Sequence, residues 1–255
     1  MNDLYEGDCR EMGLVVPPDS VDLVVTSPPY DSLRTYGGAT WNFDIFKVVA
    51  SELVKVLKAG GVIAWVVGDS VVDGSETGTS FKQALYFKEI GLNLHDTMIY
   101  VKNSYPFPPK GRYYQQFEYM FVLSKGHPKT FNGLLQDTAW IRKGKPPTTR
   151  EKDGSLVAMT GCTGKKTRLR DNVWSYNVGY MKTTTDKSAY EHPAIFPDKL
   201  AEDHILSWSN PGDTVLDPFA GSGTALVAAK KLGRNYVGIE QNPEYIGIIQ
   251  KRLGV

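Results

Sequence analysis

The 255-residue sequence has few of the residues that form disulfide bonds or bind a metal. It contains only two cysteines, Cys9 and Cys162, which are too few for a disulfide framework. Its four histidines are scattered along the chain without the spacing of a metal-ligand set. We therefore expect neither a disulfide nor a zinc site.

Long apolar runs are also missing. No stretch approaches the roughly 20 apolar residues that a membrane-spanning helix needs, and residues 1–10 are polar and acidic, without a signal-peptide pattern. Hydrophobic residues make up 41% and charged residues 22% of the chain, which is typical of a globular protein and excludes a disordered one. The sequence therefore predicts a cytoplasmic protein with no membrane partner.

The net charge of +1 conceals a strong asymmetry along the chain. Residues 102–187 hold 16 Lys and Arg against 6 Asp and Glu, whereas the rest of the chain holds 13 against 22. A basic segment on an acidic body is typical of a nucleic-acid contact surface. The alternative is a solvated basic face without a partner.

Short β-branched runs alternate with helical periodicity, which indicates an α/β protein. Residues 21–25 and 62–67 read as buried strands, and between them residues 43–57 read as a helix that stops at Gly60-Gly61. Two further strands at residues 97–101 and 119–123 are predicted to pair. From 126 to 187 the periodicity disappears over a stretch too long for a simple loop, which indicates an inserted module. The other predicted elements are helices at 81–90, 197–207, 224–232 and 244–253 and strands at 214–216 and 236–239.

The most specific motif is residues 217–224, Asp-Pro-Phe-Ala-Gly-Ser-Gly-Thr, which follows a predicted strand and opens a predicted helix. Glu240 ends the next strand, where dinucleotide enzymes hold the ribose. However, Leu226 stands in place of the third glycine, and Asp217 would repel a pyrophosphate. The pattern favours a cationic cofactor without phosphate, such as S-adenosylmethionine, with Asp217 facing its cationic end and Glu240 accepting from its ribose. The alternative is a turn whose glycines only ease packing.

The second motif is Thr26-Ser27-Pro28-Pro29-Tyr30, at the carboxyl end of a strand, where α/β proteins place their sites. Ser27 Oγ and the Pro28 carbonyl would accept hydrogen bonds from the exocyclic amine of a flipped nucleobase, and Tyr30 would stack on its ring. Accepting those protons favours the pyramidal nitrogen that attacks a methyl group. The alternative is a rigid turn.

Together these motifs resemble the β class of S-adenosylmethionine-dependent DNA amino-methyltransferases, in which the catalytic tetrapeptide precedes the cofactor loop. Residues 5–9, 192–200 and 238–240 match further segments of that class. The resemblance implies that Asp8 reaches the cofactor adenine and that Pro193 and Phe196 wall its methionine side. It also implies that Ser27, Pro28, Pro29 and Tyr30 are catalytic, and that the remaining cofactor contacts are Asp217, Pro218, Phe219, Gly221, Gly223, Thr224 and Glu240.

The resemblance further implies a Rossmann-like class I methyltransferase fold, an α/β fold with a mainly parallel sheet and an antiparallel end pair. Residues 1–125 and 188–255 would form the catalytic domain, and 126–187 the target-recognition insertion. Trp140, Tyr176 and Tyr180 would support the flipped strand or merely anchor the module, whereas Trp65 is expected in the core. The expected DNA-binding residues are Arg142, Lys143, Lys145, Arg150, Lys165, Lys166, Arg168 and Arg170.

The expected function is a site-specific DNA methyltransferase of a restriction-modification type that flips its base out of double-stranded DNA. Within this class a Ser at the first tetrapeptide position goes mostly with the N4 amine of cytosine, so Ser27 favours N4-methylcytosine, with adenine N6 as the alternative. Asp22, Asp69 and Glu118 are candidate bases that no spacing distinguishes. The resemblance also raises a homodimer and a cognate restriction endonuclease as partners, for which the sequence has no signature.

Two other classes of protein share part of this pattern. Enzymes that methylate RNA bases or protein glutamines carry a related Pro-Pro-Tyr and the same cofactor, but their usual motif order is the opposite of this one. A DNA-binding protein with a relic fold would have lost the tetrapeptide or the glycines of the cofactor loop, and this chain retains both.

Overall fold

The computed structural model describes residues 2–30, 41–104, 110–137, 148–159 and 166–255. Within these ranges the helices are α1 (Phe43–Val56), α2 (Thr79–Glu89), α3 (Asp198–Trp208), α4 (Thr224–Lys231) and α5 (Pro243–Leu253). The strands are β1 (Asn2–Glu6), β2 (Val21–Thr26), β3 (Leu57–Val67), β4 (Val71–Val72), β5 (Ser75–Glu76), β6 (Asn93–Lys102), β7 (Phe117–Ser124), β8 (Leu135–Asp137), β9 (Thr148–Arg150), β10 (Leu156–Ala158), β11 (Thr167–Leu169), β12 (Val173–Tyr176), β13 (Thr214–Asp217) and β14 (Asn235–Glu240).

Eight of these strands form one sheet, in the order β1-β14-β13-β2-β3-β7-β6-β12. All neighbours are parallel except at β7, which runs antiparallel to both β3 and β6. The predicted mainly parallel sheet with an antiparallel pair is therefore confirmed. Two strands were not predicted: β1 pairs with β14 at one edge, and β12 pairs in parallel with β6 at the other.

The core lies where helices cover the central strands. Leu23, Val24 and Val25 of β2 have no exposed surface, as expected for a strand with both faces covered. Helix α1 buries Phe46 and Leu53 from the apolar stripe that the sequence predicted. Trp65 is fully buried and donates a hydrogen bond from Nε1 to Gln83 Oε1, 2.8 Å away, so its predicted core role is confirmed.

Helix α1 matches the predicted residues 43–57 to within one residue, but the stop signal assigned to it was wrong. Asn42 caps the start of the helix by accepting a hydrogen bond from the Ile45 N–H. The helix ends at Val56 because Leu57 is already extended and pairs with Val21 of β2. The predicted stop signal, Gly60-Gly61, instead lies within β3.

The chain divides into two compact units. The larger comprises residues 1–132 and 172–255 and contains the eight-stranded sheet. The smaller is Gly133–Asp171 and contains the antiparallel strand pairs β8–β11 and β9–β10. The smaller unit thus begins and ends inside the predicted insertion of residues 126–187. Residues 172–187 belong to the larger unit because β12 joins the sheet and buries Trp174 and Tyr176. Among the described residues, no helix has the length and apolar character needed to span a bilayer.

Candidate active site

A cavity of about 990 Å³ opens in the larger unit at the carboxyl ends of its parallel strands. The strands β1, β14, β13 and β2 are successive neighbours, so the segments that follow them meet at one edge of the sheet. Most of the predicted site residues line this cavity. They are Asp8, Ser27, Pro28, Pro29, Tyr30, Pro193, Phe196, Pro218, Phe219, Gly221, Thr224 and Glu240.

The glycine loop between β13 and α4 adopts the conformation that its sequence predicts. Gly221 and Gly223 both have positive φ angles, of 53° and 77°. A side chain on Gly221 would approach the imidazole of His192 to 3.0 Å, so this position lies tightly against the cavity wall. Gly221 N–H donates to Glu240 Oε2 at 2.8 Å, which ties the loop to the end of the neighbouring strand.

The missing third glycine of the loop motif has a counterpart on β14. In dinucleotide enzymes that glycine allows the helix to pack closely against the sheet. Here Leu226 of α4 packs on Gly238, and a Cβ on Gly238 would overlap Leu226 Cδ1. The close approach is therefore retained, with the small residue on the strand and the large one on the helix.

Asp217 lies behind the cavity wall rather than in it. It is 1% exposed, and its Oδ1 accepts hydrogen bonds from Thr26 Oγ1 at 2.6 Å and from the Phe219 N–H at 3.1 Å. Burial raises the pKa of this carboxyl to about 7. Asp217 and Gly223 are the two predicted cofactor residues that do not line the cavity.

The other two carboxylates predicted to contact the cofactor, Glu240 and Asp8, do line the cavity, and each already has hydrogen-bond donors. Glu240 accepts from the N–H groups of Gly221 and Asn242, while burial raises its pKa. Asp8 accepts from the backbone N–H and the guanidinium of Arg10, whose side-chain hydrogen bond lowers the Asp8 pKa. Both carboxylates are held in place by these bonds, as a preformed site requires.

The predicted cofactor loop, residues 217–224, has an anchor that sequence reasoning missed. The Arg252 side chain is 1% exposed and donates from Nη1 to the Ser222 carbonyl at 2.6 Å. Its Nε also donates to Asp186 Oδ2 at 2.9 Å, and Nη2 lies 3.4 Å from Asp198 Oδ1. Because Arg252 lies 30 residues beyond Ser222, only the packing of α5 against the loop reveals this contact.

The predicted catalytic tetrapeptide, residues 27–30, follows β2 and also lines the cavity. Ser27 Oγ lies 3.0 Å from Tyr30 Oη, and Tyr30 Oη donates to Glu118 Oε2 at 2.8 Å. Lys102 Nζ donates to the other oxygen, Glu118 Oε1, at 2.7 Å. All four side chains line the cavity, and the hydrogen bonds that start at Ser27 lead through Tyr30 to a half-buried ion pair between Glu118 and Lys102.

Comparison with known proteins decides the family. A family model described as DNA methylase, for the N6 and N4 enzymes, matches residues 21–251. The orphan methyltransferase M.BamHII of Bacillus amyloliquefaciens is 54% identical over 239 residues, which cover 92% of this chain and 89% of that protein. The chain belongs to the N6/N4 DNA methylase family.

Solved structures of similar fold agree with this assignment. A crystal structure of M1.HpyAVI in complex with SAM is 25% identical, covers the whole of both chains and has a TM-score of 0.65. The cytosine-N4-specific PvuII DNA methyltransferase is 21% identical, covers 98% of this chain and 86% of that one, and has a TM-score of 0.68. At that identity the PvuII likeness is one of fold.

The structure distinguishes the three carboxylates that were candidate bases in this N6/N4 DNA methylase. Asp22 pairs with Lys58 and accepts from the Thr214 N–H, near the amino ends of the parallel strands. Asp69 accepts from the N–H and hydroxyl of Ser80 at the start of α2. Only Glu118 of the three lines the cavity.

The predicted aromatic contacts also separate in this DNA methylase. Tyr176 is buried and donates from its hydroxyl to Asp203 Oδ2 at 2.8 Å, so it anchors β12 to α3 rather than facing a nucleic acid. Tyr180 is 68% exposed, lines the cavity and packs on Tyr190. Trp140 lies outside the described residues.

Four of the predicted DNA-binding residues are described, and they fall in the smaller unit. Arg150 lies on β9 and Arg168 on β11, and Lys166 and Arg170 flank β11. Arg150 donates to the Gly154 carbonyl, and Arg168 pairs with Asp171 at 3.0 Å. Arg150, Lys166 and Arg168 are exposed, and Arg170 is half-buried. Arg142, Lys143, Lys145 and Lys165 lie outside the described residues.

Proposed function

We propose that this DNA methyltransferase transfers a methyl group from S-adenosylmethionine to the N4 amine of a cytosine flipped out of double-stranded DNA. The observation that carries the proposal is that the cofactor loop and the Ser27 tetrapeptide line the same cavity of about 990 Å³. That volume is at the upper end of ordinary ligand pockets, as expected for a site that takes a nucleoside cofactor and a base together.

The cavity suits a cationic cofactor without phosphate. Its lysine and arginine, Lys102 and Arg10, are each paired with a carboxylate of the same cavity, so neither is left over for a phosphate among the described residues. Glu240 adds a further carboxylate, and Asp217 lies directly behind the wall. Burial raises the pKa of both, and a nearby positive charge would favour their ionised forms.

When bound, S-adenosylmethionine supplies a methyl group made electrophilic by its sulfonium. Glu240 would hold the ribose hydroxyls, Asp8 would reach the adenine, and Pro193 and Phe196 would wall the methionine side. Asp217 keeps the loop in place through Thr26 and Phe219, and its charge complements the cation from behind the wall. Most of the predicted residues would thus contact the cofactor directly, whereas Asp217 would hold the loop that contacts it.

The substrate side would be formed by the tetrapeptide. Ser27 Oγ and the Pro28 carbonyl would accept hydrogen bonds from the exocyclic amine, which favours the pyramidal nitrogen whose lone pair attacks the methyl group. The amine then loses one proton, since the product carries a single N–H. Tyr30 would lie against the flipped base, with its hydroxyl held by Glu118.

The choice of cytosine N4 rests on Ser27, because serine at this position goes mostly with that amine in the class this chain resembles. Adenine N6 is the second candidate, since the family comprises both N6 and N4 enzymes. Both bases present an amino group beside a ring nitrogen, and the tetrapeptide would contact mainly that shared edge.

The test is incubation of the protein with mixed-sequence duplex DNA and methyl-labelled S-adenosylmethionine, followed by digestion and identification of the labelled nucleoside. Labelled N4-methylcytosine is expected. Labelled N6-methyladenine would overturn the choice of base, and an unlabelled digest would overturn the proposal. Ser27→Ala should lower turnover about a hundredfold while cofactor affinity stays near wild type; unchanged turnover would contradict the role of Ser27.

We also propose that the smaller unit, with the rest of residues 126–187, recognises the DNA target. Its exposed basic side chains support phosphate contacts. A homodimer and a cognate endonuclease are further proposals from the class resemblance. Sedimentation of the purified protein tests the first, and protection of methylated DNA from a candidate nuclease tests the second.

A further inference from the structure

The hydrogen bonds behind Ser27 have a direction that their chemistry determines. Tyr30 Oη has one proton, and beyond Ser27 the described residues offer it the acceptors Glu118 Oε2 at 2.8 Å and the Val66 carbonyl at 3.4 Å. Neither an ionised carboxylate nor a carbonyl can donate. Tyr30 therefore donates its proton to these acceptors. Toward Ser27 the Tyr30 oxygen can only act as a hydrogen-bond acceptor.

Ser27 consequently has its own proton committed as well. Its hydroxyl lies 3.0 Å from Tyr30 Oη and donates to it, because Tyr30 has no proton to give in return. The remaining lone pairs of Ser27 Oγ are then available to the cavity that this residue lines. A hydroxyl that in isolation would donate or accept becomes an acceptor toward the cavity.

The ion pair at the far end sets this direction. Lys102 Nζ donates to Glu118 Oε1 at 2.7 Å, and the two side chains are only 20% and 17% exposed. A lysine has donors only, so Glu118 accepts at both oxygens. Every hydrogen bond from Ser27 and from Lys102 therefore points toward Glu118.

We propose that Glu118 and Lys102 are positioning residues that make Ser27 an obligate hydrogen-bond acceptor, so that the site selects a base with an exocyclic amine over one with a keto oxygen. The inference rests on the proposed function and deepens it. An amine donates to Ser27, whereas a keto oxygen at the same place would face lone pairs. Serine thereby acquires the acceptor character that a carboxylate in its place would have intrinsically.

The first test is a double-mutant cycle with Glu118→Gln and Tyr30→Phe. The amide introduced by Glu118→Gln can donate to Tyr30 Oη and reverse the chain, so kcat should fall about tenfold, whereas the dissociation constant for S-adenosylmethionine should stay within about twofold. Because Glu118 acts through the Tyr30 hydroxyl, the double variant should be no slower than Tyr30→Phe alone. Glu76→Gln is the matched control, since Glu76 pairs with Arg112 at an exposed position outside the cavity.

Losses that multiply in the double variant would overturn the proposal, because they would show Glu118 acting independently of Tyr30, for example as a direct base. Wild-type turnover in Glu118→Gln would overturn it too. If Glu118→Gln has a lowered thermal midpoint, Lys102→Met provides the same test from the other end of the chain: unchanged turnover there contradicts the proposal.

The second test measures selection without turnover. The mapped target duplex is compared with one in which the target base carries its keto counterpart, uracil for cytosine or hypoxanthine for adenine. The wild type should bind the duplex with the amino base more tightly than the duplex with the keto base. In Glu118→Gln the ratio of these two affinities should be about tenfold smaller. An unchanged preference overturns the inference. A wild type that labels no DNA would instead overturn the proposed function, so the two failures are distinguishable.

Discussion

The carboxyl of Asp217 offers a quantitative test of the site. It is 1% exposed, and burial raises its pKa from 3.8 to about 7. The folded protein therefore holds this proton more tightly than the unfolded chain, and stability falls as the pH rises from about 4 to about 7. The pKa difference corresponds to roughly 4 kcal/mol when the group is fully ionised.

Asp217→Asn removes that pH-dependent cost while keeping an oxygen that can accept from Thr26 and Phe219. Linkage gives the wild-type cost as roughly 2 kcal/mol at about pH 5.5 and roughly 4 kcal/mol at about pH 8.5. The difference in free energy of unfolding between the variant and the wild type should therefore shift by roughly 2 kcal/mol in favour of the variant from the lower to the higher pH. For a chain of this length that is a gain of about 4 °C in thermal midpoint.

The assay is thermal or urea unfolding of both cofactor-free proteins at the two pH values. Asp203→Asn is the control: Asp203 is also buried but accepts from Tyr176 and pairs with Lys199, so its variant should lose stability at both pH values. If the free energy of unfolding changes with pH equally in the wild type and in Asp217→Asn, the reasoning is refuted.

The same substitution should separate stability from binding. A cationic cofactor favours the ionised form of Asp217, so the affinity of the wild type for S-adenosylmethionine should rise with pH until it levels off above about 7. Asp217→Asn should bind more weakly, with this rise reduced. Isothermal titration across the pH range measures both.

Three further predictions concern the loop, its anchor and the smaller unit. Gly221→Ala should weaken binding of S-adenosylmethionine about tenfold, because the added methyl group meets His192. Gly212 is also at positive φ but has open space around it, so Gly212→Ala should leave the affinity unchanged. Equal losses of affinity in the two variants would attribute the effect to backbone strain. Arg252→Met should lower the free energy of unfolding by about 2 kcal/mol and weaken cofactor binding, and a variant as stable as wild type in urea would contradict the anchor. Neutralising Arg150 and Lys166 should make the slope of log DNA affinity against log salt about 2 units shallower, whereas an unchanged slope would remove them from the interface.

The parts of the fold that the sequence predicted are those whose physical cause is local. The run at residues 21–25 is apolar enough to require burial on both faces, and the loop at 217–224 carries its glycines and its acid at fixed spacing. Strand β1 escaped prediction because Asn2–Glu6 is polar and is recognisable only by its pairing with β14. The end of α1 was predicted to within one residue, but its cause was not: the pairing of Leu57 with Val21 ends the helix before the glycine signal is reached.

The candidate site shows the same division. The tetrapeptide and the loop follow strands, where α/β proteins place their sites, and could be found from the sequence. Glu118 lies near the start of β7, and it reaches the same edge only because that strand runs antiparallel to its neighbours. The sequence could therefore name Glu118 only as one of three candidate bases, because nothing in the order of residues shows that the start of this strand meets the site. Arg252 was missed for a related reason, since its partners depend on how α5 packs.

The order of strands in the sheet also has a consequence for biosynthesis. Strands β1 and β2 are close in sequence, yet β14 and β13, from about 200 residues later, lie between them. Until those later strands are synthesised, β1 has no partner and β2 has one edge unpaired, with an apolar surface that the finished sheet covers. Such edges invite pairing with other chains. The cavity lined by the segments that follow these strands is therefore completed only after β13 and β14 have been synthesised, and a ligand that fills it would favour the chains in which both late strands have been inserted.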